Sequence, residues 1–357
     1  MKQKLLALFL ILALLLSTVA CSTHRLAEEE APNSATQSFT DDAGRELVLP
    51  ARIRRVVPTG ALTQILLLTL APELVSGVAS KLSEAERGFV PEELFSLPYF
   101  GSLKAGAELN IEELARSAPD LIIDMGEQKS STPSDLDALQ QQTSIPTVFL
   151  SLSLESFPEA YRKLGRLLGM EERAEALAQF CEQVYSRTER IMEQVGDGKV
   201  NCLYIPGQEG LNVIAAGSYH AELVDWLTNN LAVVDNPLGK GTGNEVTLEQ
   251  ISLWNPDFVI FGPDSIYDSV KSRPVWDQIT AIRENRYVQI PNTPCNWMGM
   301  PPSVQLYLGL IWLPSVLYPQ YCDYDVQEEI LRYFRLFYGV ELSQEEYDAL
   351  TEKAFVR

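Results

Sequence analysis

The chain has 357 residues, 46% of them hydrophobic, with 48 Asp and Glu set against 28 Lys and Arg for a formal net charge of −20. A chain of this size and hydrophobicity is globular, with room for two lobes of about 100 to 150 residues each, and it is not a disordered polymer. The strong negative charge argues against nucleic acid, whose binding rests on an excess of Lys and Arg.

The N-terminus runs Met1, Lys2, Gln3, Lys4, then an apolar stretch over residues 5–16, then Ser17-Thr18-Val19-Ala20-Cys21. This is the layout of a signal peptide over residues 1–20. Its apolar stretch is shorter than the roughly 20 residues that span a bilayer. Thr18-Val19-Ala20-Cys21 resembles a bacterial lipobox, in which the cysteine thiol receives a diacylglyceryl group before cleavage. The resemblance implies that Cys21 is a lipid anchor, since two acyl chains suffice for stable attachment, and places the protein on the extracytoplasmic face of the membrane. Loss of Lys2 and Lys4 with the leader would make the exported form more acidic still. Residues 21–38 are polar, with Glu28-Glu29-Glu30 and Pro32, and read as a flexible tether.

Residues 39–50 read as a hairpin turning at Ala43-Gly44. A buried strand follows at 53–57, a helix at 62–70, a second strand at 74–78 and a helix at 110–117. After Pro119-Asp120 come the strand 121–123, a helix at 134–142 and the strand 147–150. Alternation of helix and strand predicts a parallel sheet, closing a first lobe over residues 39–152. Residues 153–198 read as a linker containing a long helix at 171–195, whose Leu177, Cys181, Val184, Thr188, Ile191 and Val195 step by four and three along one stripe. A second alternating series fills residues 199–325: strand 200–205, helices 220–229 and 248–253, and strands 258–261 and 287–290. Residues 326–357 read as two terminal helices, the second opening on the capping start Ser343-Gln344-Glu345-Glu346. Cys181, Cys202, Cys295 and Cys322 are too widely spaced for a zinc ribbon or a redox pair and leave one or two disulfides open.

The lobes share a phrase. Leu109-Asn110-Ile111-Glu112-Glu113-Leu114 leads to Ala118-Pro119-Asp120 and a buried strand, and Val246-Thr247-Leu248-Glu249-Gln250-Ile251 leads to Asn255-Pro256-Asp257 and another. With the long helix, and with Asn296-Trp297-Met298-Gly299-Met300-Pro301-Pro302-Ser303 running on to Leu313, these phrases resemble the periplasmic binding proteins that serve iron-siderophore, haem and cobalamin ABC importers. The resemblance covers residues 39–357. It implies an α/β fold of two Rossmann-like lobes with central parallel sheets, linked by a single long backbone helix. It also implies a non-enzymatic protein with no resident cofactor, which captures a metal chelate and hands it to a permease and ATPase complex. In that family a glutamate on each lobe docks against permease arginines, and the matching positions are Glu112 and Glu249; favourable placement near a helix N-terminus is the alternative account, and their equivalent placement in both lobes favours docking.

Clefts form outside the carboxyl ends of parallel strands, so the loops there supply the candidate ligand contacts: Thr59, Lys81, Ser102 and Glu127 in the first lobe, Gln208, Tyr219, His220, Asp264, Asn296, Trp297 and Met298 in the second. Tyr219 and Trp297 could stack on a flat chelate, although a tryptophan bracketed by prolines is as often a packing plug. With only His24 and His220 in the chain, no multi-histidine site for a bare metal can form, so no direct metal ligands are expected. The metal should arrive already complexed, with Lys81 or Lys129 balancing any negative charge; haem ligation by His220 or Tyr219 stays open. Ferric siderophore stands first on the breadth of the family, with cobalamin, haem and a molybdate-like oxyanion beside it. The rival classes are an exported enzyme, which lacks any GxSxG, SxxK or Walker motif, and a ligand-sensing or adhesive lipoprotein on the same fold.

Overall fold

A computed structural model describes residues 35–103 and 110–356. The leader, Cys21 and Leu109 of the first repeated phrase lie outside the described residues.

The first strand, β1 (Thr36–Thr40), starts inside the span read as tether and pairs antiparallel with β2 (Glu46–Pro50). Asp41 at the turn is fully buried. It accepts from the Ala43 and Arg45 backbone N–H groups and from the Arg45 guanidinium, which also reaches the Thr147 carbonyl and, at 3.0 Å, Asp137. Asp42 bonds the Ser151 N–H and Lys163 Nζ. Polar groups thus lock the hairpin onto the edge of the first lobe.

That lobe comprises β3 (Val56–Pro58), α1 (Ala61–Leu70), α2 (Ile111–Ser117), β4 (Leu121–Gly126), α3 (Thr132–Thr143) and β5 (Thr147–Ser151). Its sheet has the order β3-β4-β5, all parallel. The strand expected at 74–78 is reduced to the single bridges Val56↔Val75 and Val78↔Tyr99, because Pro72 opens a 3-10 turn at the point where pairing would start.

Two helices follow: α4 (Phe157–Leu168), which falls within the stretch read as linker, and α5 (Glu171–Val195), with the bounds the periodicity predicts. They pack closely because position 165 is glycine: a Cβ there would stand 2.3 Å from Ala174 Cβ. All six residues of the predicted α5 stripe are buried.

The second lobe holds β6 (Asn201–Ile205), β7 (Asn212–Val213), α6 (Glu222–Leu227), β8 (Asn229–Asn230), β9 (Asn244–Glu245), α7 (Leu248–Trp254), β10 (Phe258–Phe261), α8 (Thr280–Arg283) and β11 (Tyr287–Gln289). Its parallel sheet has the order β11-β10-β6-β8. Both faces are covered, with Cys202, Tyr204, Phe258 and Ile260 in the core shared with the first lobe, and Leu203, Ile205, Val259 and Phe261 in an outer core. The chain closes with α9 (Leu306–Leu317), α10 (Val326–Tyr338) and α11 (Gln344–Thr351), the last opening on the predicted Ser343/Glu346 capping box.

The repeated phrases fold alike. Asn110 and Thr247 cap α2 and α7 through their side chains, and Ala118 and Asn255 end them in left-handed conformations at φ 40° and 39°. Asp120 then accepts from the Arg54 and Arg55 N–H groups, and Asp257 from Asn201 Nδ2, so each aspartate pins its turn to the first strand of its own lobe. Among the described residues no disulfide forms: Cys181, Cys202, Cys295 and Cys322 are free, and burial pushes the Cys295 thiol up to about 12.

Removing one partner of a buried ion pair leaves the other charge unpaired. Arg45→Met is therefore expected to cost about 3–5 kcal/mol of stability, read as a lowered urea midpoint; an unchanged midpoint would mean that Asp41 is satisfied without its guanidinium.

Candidate functional site

The carboxyl ends of β4 and β5 face the loop that leads into α6. Between them lies a cavity of about 480 Å³, within the usual range for small-molecule sites. From the first lobe and the start of α4 it receives Leu62, Glu127, Leu152, Ser153, Leu154 and Phe157; Gly217, Ser218, Tyr219, Glu222, Pro302 and Leu306 form the opposite wall. A second cavity of about 450 Å³ adjoins it in the first lobe, lined among others by Thr59, Asp124, Lys129 and Asp135 and sharing Glu127 with the first. There the Thr59 hydroxyl donates to the Asp124 carboxylate.

The interlobe cavity is acidic. Glu127 and Glu222 both keep solvent-exposed surface at the cavity mouth; partial desolvation of its carboxyl still raises the pKa of Glu222, a hydrogen bond from the Leu154 N–H pulls it back, and the charge of Glu127 raises it again. Tyr219 is likewise raised, first by burial and then by Glu222 and Glu127. A carboxylate from each lobe, Glu127 and Glu222, and the Tyr219 phenol thus line one cleft. Ser218 lies in the same wall, and its buried Oγ has no hydrogen-bond partner.

Of the candidates from sequence, Glu127 and Tyr219 meet in the interlobe cavity, and Thr59 lies in its neighbour with Lys129. Ser102 is exposed beside Thr59, its Oγ 3.4 Å from the Thr59 carbonyl. Lys81, Gln208 and Asp264 are exposed and line neither cavity; Lys81 lies 5.1 Å over the Tyr99 ring. His220 is half-buried, with Nδ1 3.0 Å from the Gly299 carbonyl, and it too lines neither cavity.

Asn296, Trp297 and Met298 are corrected from cleft contacts to packing residues. Trp297 is fully buried, donates from Nε1 to the Thr293 carbonyl at 3.1 Å, and sits edge-on to Trp312 at 6.3 Å. Met298 is buried, and Asn296 Oδ1 accepts from its N–H at 2.7 Å. Gly309 of α9 brings the helix against this loop, since a Cβ there would stand 2.5 Å from the Trp297 carbonyl. The tryptophan props the second-lobe wall from behind.

Sequence reasoning placed Ser218 in the candidate loop Ser218-Tyr219-His220 but did not single out Glu222, Leu62 or Leu306. Glu222 stands three residues after Tyr219, and that spacing was its only signal.

A family model described as periplasmic binding protein matches residues 67–294. The chain belongs to that family. Among curated relatives, the molybdate-binding protein MolA of Haemophilus influenzae is 25% identical over 334 aligned residues, spanning 85% of this chain and 91% of that protein. Among solved structures, an ABC transporter solute binding protein from Sulfurospirillum deleyianum superposes with a TM-score of 0.80 at 26% identity, over 88% of this chain and 99% of that one. A periplasmic haem binding protein from Pseudomonas aeruginosa shares the fold, with a TM-score of 0.54, 21% identity and coverage of 75% and 93%. The two-lobed architecture and the membership expected from the repeated phrases hold. As a periplasmic binding protein, the chain is a solute receptor of the ABC-transporter kind.

A carboxyl whose pKa is raised on folding binds its proton more tightly in the native state. Stability therefore falls as pH rises from the ordinary carboxyl value through the raised one. Glu222→Gln is expected to raise the thermal midpoint at pH 7.5 and to bring a smaller gain at pH 5. Equal midpoints for variant and parent at both pH values would show the Glu222 charge to be already compensated.

Proposed function

We propose that this protein is the extracytoplasmic substrate-binding component of an ABC importer, anchored by a lipid on Cys21, that takes a metal chelate into the interlobe cavity and delivers it to a permease and ATPase complex. The observation that carries this reading is a cavity walled from both lobes at the carboxyl ends of their sheets. Its volume suits an organic complex, and among the described residues no three His, Cys, Asp or Glu side chains come together as a metal site. The metal then enters with its coordination sphere largely filled by its own chelator. A ferric siderophore is the chelate we place first; the molybdate of the Haemophilus relative and the haem of the Pseudomonas protein are cargoes that this fold accommodates elsewhere.

Delivery would run through Glu112 and Glu249. Both are exposed, at the second position of seven-residue helices capped and terminated in the same way. Two carboxylates presented alike by two lobes match a partner offering an arginine to each, because bidentate Arg–carboxylate pairs fix orientation as well as contact.

In cells carrying the cognate permease and ATPase, the Glu112→Ala, Glu249→Ala double variant is expected to lower chelate uptake at least tenfold while the purified variant still binds its cargo. Full uptake by the double variant would remove the docking role.

A further inference from the structure

The charge of the cleft bears on which chelates it accepts. Glu127 arrives from the end of β4 and Glu222 from the start of α6, so the two carboxylates belong to opposite lobes and meet over one cavity. They are close enough for the charge of Glu127 to act on Glu222, and for both to act on Tyr219. The surroundings add no cation: among the described residues lining this cavity there is no Lys or Arg. At its flank, Tyr185 feels the charges of Glu155, Glu189 and Glu222 together. Among the described residues lining the adjoining cavity, Lys129 stands against Asp124, Glu127 and Asp135.

A second and independent observation concerns hydrogen-bonding capacity. Ser218 is nine-tenths buried in the same wall, and its hydroxyl has no partner in the protein. Leaving a buried hydroxyl unpaired is costly, and such groups ordinarily find a partner in water or ligand. Ser218, Glu127 and Glu222 line one space, and a hydroxyl and two carboxylates are all acceptors. An ammonium group has three donors and no acceptor capacity. Beside these acceptors, Leu62, Leu152, Phe157 and Leu306 offer an apolar wall for the alkyl stem of such a group.

We infer that the cleft selects chelates carrying a cationic arm, with Glu127 and Glu222 clamping the cation from the two lobes and Ser218 completing its hydrogen bonds. The inference rests on the proposed chelate-binding function and narrows it. An oxyanion such as molybdate, or a polyanionic complex, would meet two carboxylates with no Lys or Arg among the described lining residues to offset them. The cation also gives the lobes a reason to approach. Without it the two carboxylates repel across the cleft, and with it each is drawn to the same centre.

The test uses the full chain in detergent micelles, titrated by quenching of intrinsic fluorescence with four probes. These are a ferric trihydroxamate bearing a free primary ammonium, the same complex with that amine acetylated, a trianionic ferric tris-catecholate, and molybdate. The ammonium complex is expected to bind at least tenfold tighter than its acetylated twin, a difference of about 1.4 kcal/mol, with the two anions weaker than both. Glu127→Gln and Glu222→Gln should each shrink that ratio, and the double variant should bring it near one; both are isosteric changes that leave the fold intact by circular dichroism. Equal or tighter binding of the acetylated or anionic probes would overturn the charge selection and leave chelate binding standing. Failure of all four to bind would overturn the chelate reading itself, and the selection with it.

Discussion

Everything in this molecule hangs on one apolar seam that both lobes share. Phe334 and Phe337 of α10 reach back against the first lobe and the bridging helices: Phe334 sits 5.3 Å from Phe89, and Phe337 sits 6.1 Å from Tyr161 and 5.5 Å from Phe180. Tyr333 stacks on Phe337 at 4.3 Å, and the same core runs on through α5 and α9 to Tyr204 and Ile260 of the second sheet. Each fully buried large apolar side chain contributes roughly 1.5–3 kcal/mol, so a seam of this kind outweighs any single polar contact between the lobes. Polar groups fix its register. Arg173 on α5 donates twice to the Thr69 carbonyl at the end of α1, and Arg187 pairs with Glu329 on α10 at 3.1 Å.

Because the lobes are joined through packed side chains and not through a bare linker, the cleft is a standing cavity whose walls are set by the core. Wide hinge opening would expose the seam to water, whereas small shifts of the loops that carry Glu127, Ser218 and Tyr219 would not. Trp297 belongs to this logic. It faces Trp312 and the core, and by doing so holds the wall that the cargo would touch.

Elements whose signal is local were legible in the sequence. The α5 stripe, the capping box at Ser343 and the two Pro-Asp turns follow from spacing and side-chain chemistry within a few residues, and they fold as that chemistry dictates. Helix α4 carries an equally regular stripe in Phe157, Ala160, Tyr161, Leu164 and Leu168, but Pro158 at its first turn, Gly165 inside it and Gly169 just past its end blur it beside the longer helix. The cleft was legible only in part because its partners are distant in sequence. Glu127 and Tyr219 stand at loop positions that fold class singles out, whereas Glu222 gains its meaning from Glu127, and nothing local brings those two together. Trp297 shows the converse: its loop left ligand contact and packing plug equally open, and the packing of α9 through Gly309 decides for the plug.

The origin of the seam in the last quarter of the chain bears on the order in which the protein can become native. Helices α4 and α5 leave Tyr161 and Phe180 uncovered until Phe337 is available, and Trp312 lacks its native indole partner until the carbonyl of Ala354 arrives. Contacts that join such remote stretches close slowly, since loop-closure entropy must be met before they return anything. A chain made from its N-terminus therefore reaches this closure only once α10 and the segment carrying Ala354 are present, so the last residues complete a core that begins at α4.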